Sequence, residues 1–266
     1  MDVLDAIILG AIQGLTEFLP VSSSGHLELG KVVLGLETEV GLLFSIFLHA
    51  ATALSTLVVF RKDIADILKG LLAFRWNESY QFVLLIVISI IPLVPYVFFK
   101  KEIEPFFEGR ILWVGCFLLL TGSLLLLTHY FGNKEGKEVG PLQAFIIGIA
   151  QAIAVLPGIS RSGATIATGL LLGVDKSKVA RFSFLMVLPP ILGAALLELK
   201  DYLEEPAAHA AIGTAPLIAG FIAAFVVGFA ACTWMIGIVK KGKLSYFAYY
   251  CFLVGAIAIG FGLFAA

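Results

Sequence analysis

The sequence predicts an all-α polytopic membrane protein built as an inverted-topology repeat, with six transmembrane helices and two re-entrant broken-helix pairs. Three observations predict it. Hydrophobic residues make up 60 % of the 266-residue chain against 14 % charged, and mean hydropathy is +1.01, far above that of an ordinary water-soluble domain. Six uninterrupted apolar runs reach the length needed to cross a hydrocarbon core, about 20 residues for roughly 30 Å. Two further apolar stretches are interrupted, in equivalent places of the two halves, by similar polar segments that carry proline and glycine.

Along the chain, the first broken stretch runs from Val3 to Leu36, interrupted at Thr16-Glu17 and at Pro20 to His26. Spanning runs follow at Gly41 to Phe60, Ser79 to Phe99 and Ile111 to Phe131. The second broken stretch, Val139 to Gly173, is interrupted from Pro157 to Gly163, and three more runs follow: Phe182 to Leu199, Ala215 to Val239 and Leu244 to Ala266. Pro92, Pro95 and Pro189-Pro190 fall inside runs and predict kinks. The segment from Gly10 through Gln13 and Pro20 to Gly25 lies over that from Gly148 through Gln151 and Pro157 to Gly163. One membrane domain, 1–266, thus divides into repeats 1–133 and 134–266. Each holds a re-entrant pair plus three crossings, and an odd number of crossings makes the second repeat enter from the opposite face.

The cations orient this frame. One face collects Arg61, Lys62, Lys69, Arg75, Lys134, Lys137, Lys176, Lys178, Arg181, Lys240, Lys241 and Lys243; the other has Lys31, Lys100, Lys101, Arg110 and Lys200. The positive-inside rule makes the first face cytoplasmic and puts both termini outside. A formal net charge of −1 gives no reason to expect nucleic acid. Cys116, Cys232 and Cys251 lie in apolar runs without metal-ligand spacing and read as small buried residues. Met1 to Asp5 lacks the basic stretch of a signal peptide, so the first apolar segment is expected to stay in the mature protein.

Arg161 falls in the second break, at membrane depth. Irregular polar backbone in a bilayer is tolerated only where protein buries it or where it lines a watery cavity, so both breaks mark a cavity. Gln13 and Glu17 are spaced i, i+4 on one helix face, with Ser22, Ser23, Ser24, Gly25 and His26 close behind; the second break supplies Ser160, Arg161, Ser162, Gly163 and Thr165. An intramembrane Arg and Glu are costly, and each is the natural partner of the other. Arg grips phosphate oxygens in pairs, and serine hydroxyls with the N–H groups of glycine-bearing helix N-termini line an anion site. Glu can hold a divalent cation or act as base, and His can move a proton or carry a phosphoryl group. The set suits phosphoryl transfer on an anionic head attached to a lipid tail.

Each element also has a structural reading. Serines in apolar helices bond back to their own backbone, and a buried Glu–Arg pair can serve to hold two halves together. His49, inside a spanning run, reads as a packed residue, Glu28 as structural or solvent-facing, and His129 and His209 as interfacial.

The stretch from Gln13 to His26 (QGLTEFLPVSSSGH) and that from Pro157 to Thr165 (PGISRSGAT) resemble the two signatures of the BacA-type undecaprenyl pyrophosphate phosphatases, and the resemblance covers essentially the whole chain. It implies hydrolysis of the C55 lipid pyrophosphate to the monophosphate carrier for peptidoglycan and other envelope polymers, in the bacterial inner membrane. It also implies a link to bacitracin resistance and dependence on a divalent cation, Mg²⁺ foremost with Ca²⁺ as the alternative. The family has Glu or Gln at the position of Gln13; the neutral residue here shifts metal or proton work onto Glu17. By motif, Ser23 becomes the nucleophile or a phosphate ligand, His26 the proton-transfer residue and Arg161 the phosphate clamp, with Ser160 and Thr165 supporting the pocket. A metal-bound water attacking directly would use the same residues.

An inverted repeat with crossed broken helices is also the architecture of many secondary transporters. A polyprenyl-phosphate flippase or other anion carrier is therefore the competing class, and homo-oligomerisation stays open. Hydrolysis is favoured because adjacent Ser and His with Glu and Arg provide base, nucleophile and charge stabiliser, more than binding requires.

Overall fold

The computed structural model of the protein describes residues 1–36, 42–103, 111–132, 136–204 and 212–264. Arg110, Lys134, His209 and the boundary between 133 and 134 lie outside the described residues, as do the side chains of Lys100 and Lys101. Among the described residues every regular element is a helix, apart from one isolated bridge between Lys137 and Val174.

Helix α1, Val3–Phe18, starts at a reciprocal cap: Asp2 Oδ1 accepts from Asp5 N at 2.8 Å and Asp5 Oδ2 accepts from Asp2 N at 3.0 Å. The expected interruption at Thr16-Glu17 does not occur. The Thr16 hydroxyl donates to the Ile12 carbonyl at 2.6 Å and Gln13 bonds Glu17 one turn on, so both polar side chains are satisfied within a continuous helix. The break is shorter than the sequence suggests, because α2, Ser23–Leu34, begins directly after its cap Ser22.

Helix α3, Leu42–Val59, turns through 75° at Phe60 into α4, Arg61–Leu72, which buries no residue and exposes Leu68 and Leu72 beside its charges. Such an amphipathic helix suits a membrane surface. Helix α5, Glu78–Ile90, gives way at a short 3₁₀ turn, Ile91–Leu93, to α6, Val94–Ile103, so Pro92 breaks the run as expected. Helix α7 is Ile111–Phe131.

In the second half, α8, Pro141–Ile153, and α9, Arg161–Leu171, lie on either side of the second break. Helix α10, Lys176–Met186, and α11, Leu188–Glu204, share one apolar stretch, jointed before Pro189-Pro190. Long helices α12, Thr214–Lys241, and α13, Ser245–Phe264, complete the bundle. Among the described residues five helical stretches are long and apolar enough to cross a membrane, or six when the bent α3–α4 pair is one span. The protein is a multi-pass membrane protein.

Small residues let the helices touch. With lipid outside the bundle there is little hydrophobic gain from association, so close van der Waals contact takes over. Gly10 and Gly14 of α1 meet Gly220, Ala224 and Gly228 of α12; a Cβ at Gly14 would stand 2.6 Å from the Ala224 carbonyl oxygen. Gly115 of α7 and Gly255 of α13 abut in the same way, and Gly148 lies against the Ser89 backbone of α5. Thus α1 packs on α12 and α8 on α5.

One end of the bundle gathers residues assigned to the cation-rich face. Arg181 donates to Asp63 at 2.6 Å and lies over the Phe82 ring, Lys178 pairs with Glu138, and Lys176 sits beside Gly242.

Candidate active site

The two breaks build matching helix starts. Ser22 caps α2, its Oγ accepting from Gly25 N at 3.3 Å; Ser160 caps α9, its Oγ accepting from Gly163 N at 3.1 Å. In both, the cap hydroxyl also lies near the serine two residues on, Ser24 at 3.4 Å and Ser162 at 3.3 Å. A cap serine saves an N–H group that the helix leaves without a partner. The two starts differ in strain: Ser22 has φ 71°, a left-handed backbone that only glycine adopts freely, whereas Ser160 has φ −75°.

Ser23 and Arg161 are thereby the first residues of their helices, and both reach Glu17 near the end of α1. The Ser23 hydroxyl donates to Glu17 Oε2 at 2.8 Å, Arg161 Nη2 donates to Glu17 Oε1 at 2.6 Å, and Gln13 Nε2 donates to Oε2 at 3.1 Å. Gln13 is fully buried and Glu17 only 9 % exposed. Both helices aim their N-terminal ends into the breaks, so two partly positive backbone ends flank one carboxylate and one guanidinium. Such a centre can hold an anion and can take a proton from the Ser23 hydroxyl.

The other predicted residues divide by what they touch. Ser162 donates to the Leu19 carbonyl at 3.2 Å and Gly163 approaches Pro20, so they lock the second break onto the first. Ser160 N donates to the Thr121 hydroxyl at 3.1 Å, which ties the break to α7. Thr165 bonds the Arg161 carbonyl at 2.9 Å and the Ser183 hydroxyl at 2.6 Å; it braces the α9 backbone and has no bond to Glu17. Gly25 fits where a Cβ would stand 3.3 Å from Gly158 Cα.

His26 lies one turn along α2 and bonds elsewhere. Its Nδ1 is 2.8 Å from the Ser22 carbonyl oxygen, which can only accept, so Nδ1 carries the proton. In the neutral ring Nε2 then accepts from the Tyr250 hydroxyl, 2.8 Å away, and the two rings stack. Tyr250 and Thr121 were not foreseen, since both sit in uninterrupted apolar runs. His49 bonds the Ser45 carbonyl at 2.9 Å as a packed residue does, and Glu28 pairs with Lys31 at 2.8 Å.

Four buried side-chain atoms among the described residues have no hydrogen-bond partner: Gln13 Oε1, Arg161 Nη1, and both polar atoms of the Gln151 amide. Buried polar atoms are nearly always paired. All four belong to the broken helices, and Gln151 is the residue that the repeat alignment sets over Gln13.

A multi-pass helical bundle with a buried Glu–Arg–Ser centre between two helix starts is a membrane protein equipped to hold an anion inside its core. The chain belongs to the family described as bacitracin resistance protein BacA, which residues 6–257 match. A protein of Christiangramia forsetii named undecaprenyl-diphosphatase is 57 % identical over 98 % of each chain. Proteins of the same name in Bacteroides fragilis and Methanosphaera stadtmanae are 54 % and 40 % identical, each over 97 % of this chain and 98 % of its relative.

Proposed function

We propose that this protein hydrolyses undecaprenyl pyrophosphate to undecaprenyl phosphate and inorganic phosphate, recycling the lipid carrier of envelope synthesis in the bacterial inner membrane. The observation that carries the reading is the convergence of Ser23 and Arg161 on Glu17. A carrier needs to grip an anion; it does not need a hydroxyl held on a carboxylate.

In this reading Arg161 draws the pyrophosphate in by its unpartnered Nη1 and offsets charge on the equatorial oxygens as they spread in the transition state. Ser23 Oγ attacks the terminal phosphorus while Glu17 takes its proton. The bond from phosphorus to the bridging oxygen breaks, and undecaprenyl phosphate leaves. Water then attacks the phosphoserine and the Oγ–P bond breaks: His26 Nε2, released from the Tyr250 hydroxyl, accepts the water proton, Glu17 returns its proton to Ser23 Oγ, and inorganic phosphate departs.

The centre also fits a divalent cation of the Mg²⁺ kind, with Ca²⁺ the alternative. Among the described residues no group of three or more His, Cys, Asp or Glu can cage a metal, but Mg²⁺ is commonly held by one or two protein oxygens and completed by substrate phosphates. Glu17 and the unpartnered Gln13 Oε1 would hold it. Bound there, it would neutralise phosphate oxygens and lower the pKa of water.

The pairing of α1 with α12 and of α8 with α5 supports the inverted repeat, with halves 1–133 and 134–266. Equivalent serine caps at Ser22 and Ser160 support it again. The end that holds Arg181, Lys178 and Lys176 then faces the cytoplasm, and both termini lie outside.

The test is release of inorganic phosphate from farnesyl or undecaprenyl pyrophosphate by purified protein, with Mg²⁺ and with EDTA. Metal-dependent release is expected. Its absence from folded protein would transfer the assignment to a carrier. Ser23→Ala separates the two nucleophiles, because substantial residual turnover would mean that water attacks directly.

A further inference from the structure

Outside the Glu17 centre, a groove of about 540 Å³ runs between the end of α1 and the α12–α13 hairpin. Its walls are apolar and aromatic: Leu15, Trp234, Ile238 and Phe247. At the end of the bundle its mouth is set by Lys241, Lys243 and Tyr246, all exposed. Gly242, with φ 69°, turns the chain between the two lysines and so places both at the same mouth. No Asp or Glu lines the groove, and neither lysine has an ion-pair partner among the described residues. Lys176 adds a further cation beside Gly242; its neighbour Asp175 is engaged as the cap of α10, accepting from Ser177 N at 2.9 Å.

We infer that this groove is a binding site for one anionic glycerophospholipid, its phosphate between Lys241 and Lys243 and one acyl chain along Trp234, Ile238 and Phe247. Lysines in the last turn of a helix complement its dipole, which accounts for Lys241. It does not account for an aromatic-walled slot beside it that exposes 57 % of Trp234. Basic pockets between transmembrane helices suit anionic headgroups, and a tryptophan–tyrosine lining suits the depth where headgroup gives way to chain. Tyr250, which bonds His26, also lines the groove, but Glu17, Ser23 and Arg161 do not, so a phosphate held by Lys241 and Lys243 belongs to a bilayer phospholipid and is not the one that reacts. The inference is independent of the hydrolytic reading.

The test is native mass spectrometry of the full chain released from mixed phosphatidylglycerol and phosphatidylcholine, in parallel with thermal unfolding in each lipid. Wild type is expected to retain one phosphatidylglycerol over phosphatidylcholine by roughly tenfold or more, given that each lysine near an anionic surface contributes appreciably. Lys241→Gln with Lys243→Gln should bring retention to parity, with hydrolysis in phosphatidylcholine unchanged; the double arginine variant should keep the preference. Should the glutamine variant fail to fold, wild type still decides: its phosphatidylglycerol-specific rise in Tm should shrink at about 1 M salt. Equal retention of both lipids by wild type, an unchanged preference in the glutamine variant, or preferential retention of undecaprenyl phosphate over phosphatidylglycerol would each overturn the inference.

Discussion

Ser23 and Arg161 occupy the same position, the first residue of a helix behind a serine cap, and they bond opposite oxygens of Glu17. Two helix starts of the same form thus carry two different chemistries. A hydroxyl stands on one side of the carboxylate and a permanent cation on the other.

Arg161→Ala removes the cation and leaves Glu17 buried beside a vacant space. Phosphate release should fall on the order of 10²-fold or more, the usual effect of losing a charge stabiliser. Breaking a buried pair also costs about 3 kcal/mol, read as a lower Tm in detergent. Arg161→Lys should not restore the rate, since an ammonium cannot hold Glu17 and present a second donor in the same plane. Near-normal turnover by either variant would remove Arg161 from the site.

Ser22 carries both a cap and a strained backbone, and two substitutions separate them. Ser22→Ala loses the cap and keeps the strain, for a loss of about 1 kcal/mol or more. Ser22→Gly loses the cap but relieves the left-handed φ, so it should be the more stable of the pair. Thermal unfolding of the two variants side by side gives the order, and the reverse order would refute the left-handed backbone.

Gly14→Leu tests the α1–α12 contact. Its side chain has no room against Ala224 and Gly228, so α1 must shift and carry Glu17 with it. Overpacking of this kind costs about 1–3 kcal/mol. Activity should fall more than stability, and Gly14→Ala should lie between Leu and wild type.

Tyr250→Phe removes the hydroxyl that donates to His26 Nε2 while keeping the stacked ring. The fold should survive with a loss near 1 kcal/mol, the worth of one hydrogen bond. If His26 moves a proton in turnover, the pH profile of kcat should shift in Tyr250→Phe and the shift should vanish in His26→Ala. An unchanged profile would confine the Tyr250 contact to packing.

Much of this was legible in the chain. Spanning helices announce themselves because lipid demands long apolar runs, and the breaks stand out because it tolerates so little else. Glu17, Arg161 and Ser23 stand out for that reason, and the structure brings the three into contact. Less visible were contacts made by residues of ordinary type in ordinary helices: Tyr250 and Thr121 carry no signal until the fold brings them to His26 and Ser160. Thr16 misled in the opposite sense, because a threonine satisfied by its own helix reads in sequence like a break. The 75° bend at Phe60 shows in the sequence only as the end of an apolar run, since the amphipathic face of Arg61–Leu72 exists only once that segment is helical.

The unpaired atoms of Gln13, Arg161 and Gln151 hold bonding capacity in reserve. A ligand that pairs with these atoms gains affinity and raises resistance to unfolding together. These atoms lie on α1, α8 and α9, the helices that flank the two breaks, so occupancy and fold stability are coupled at that place.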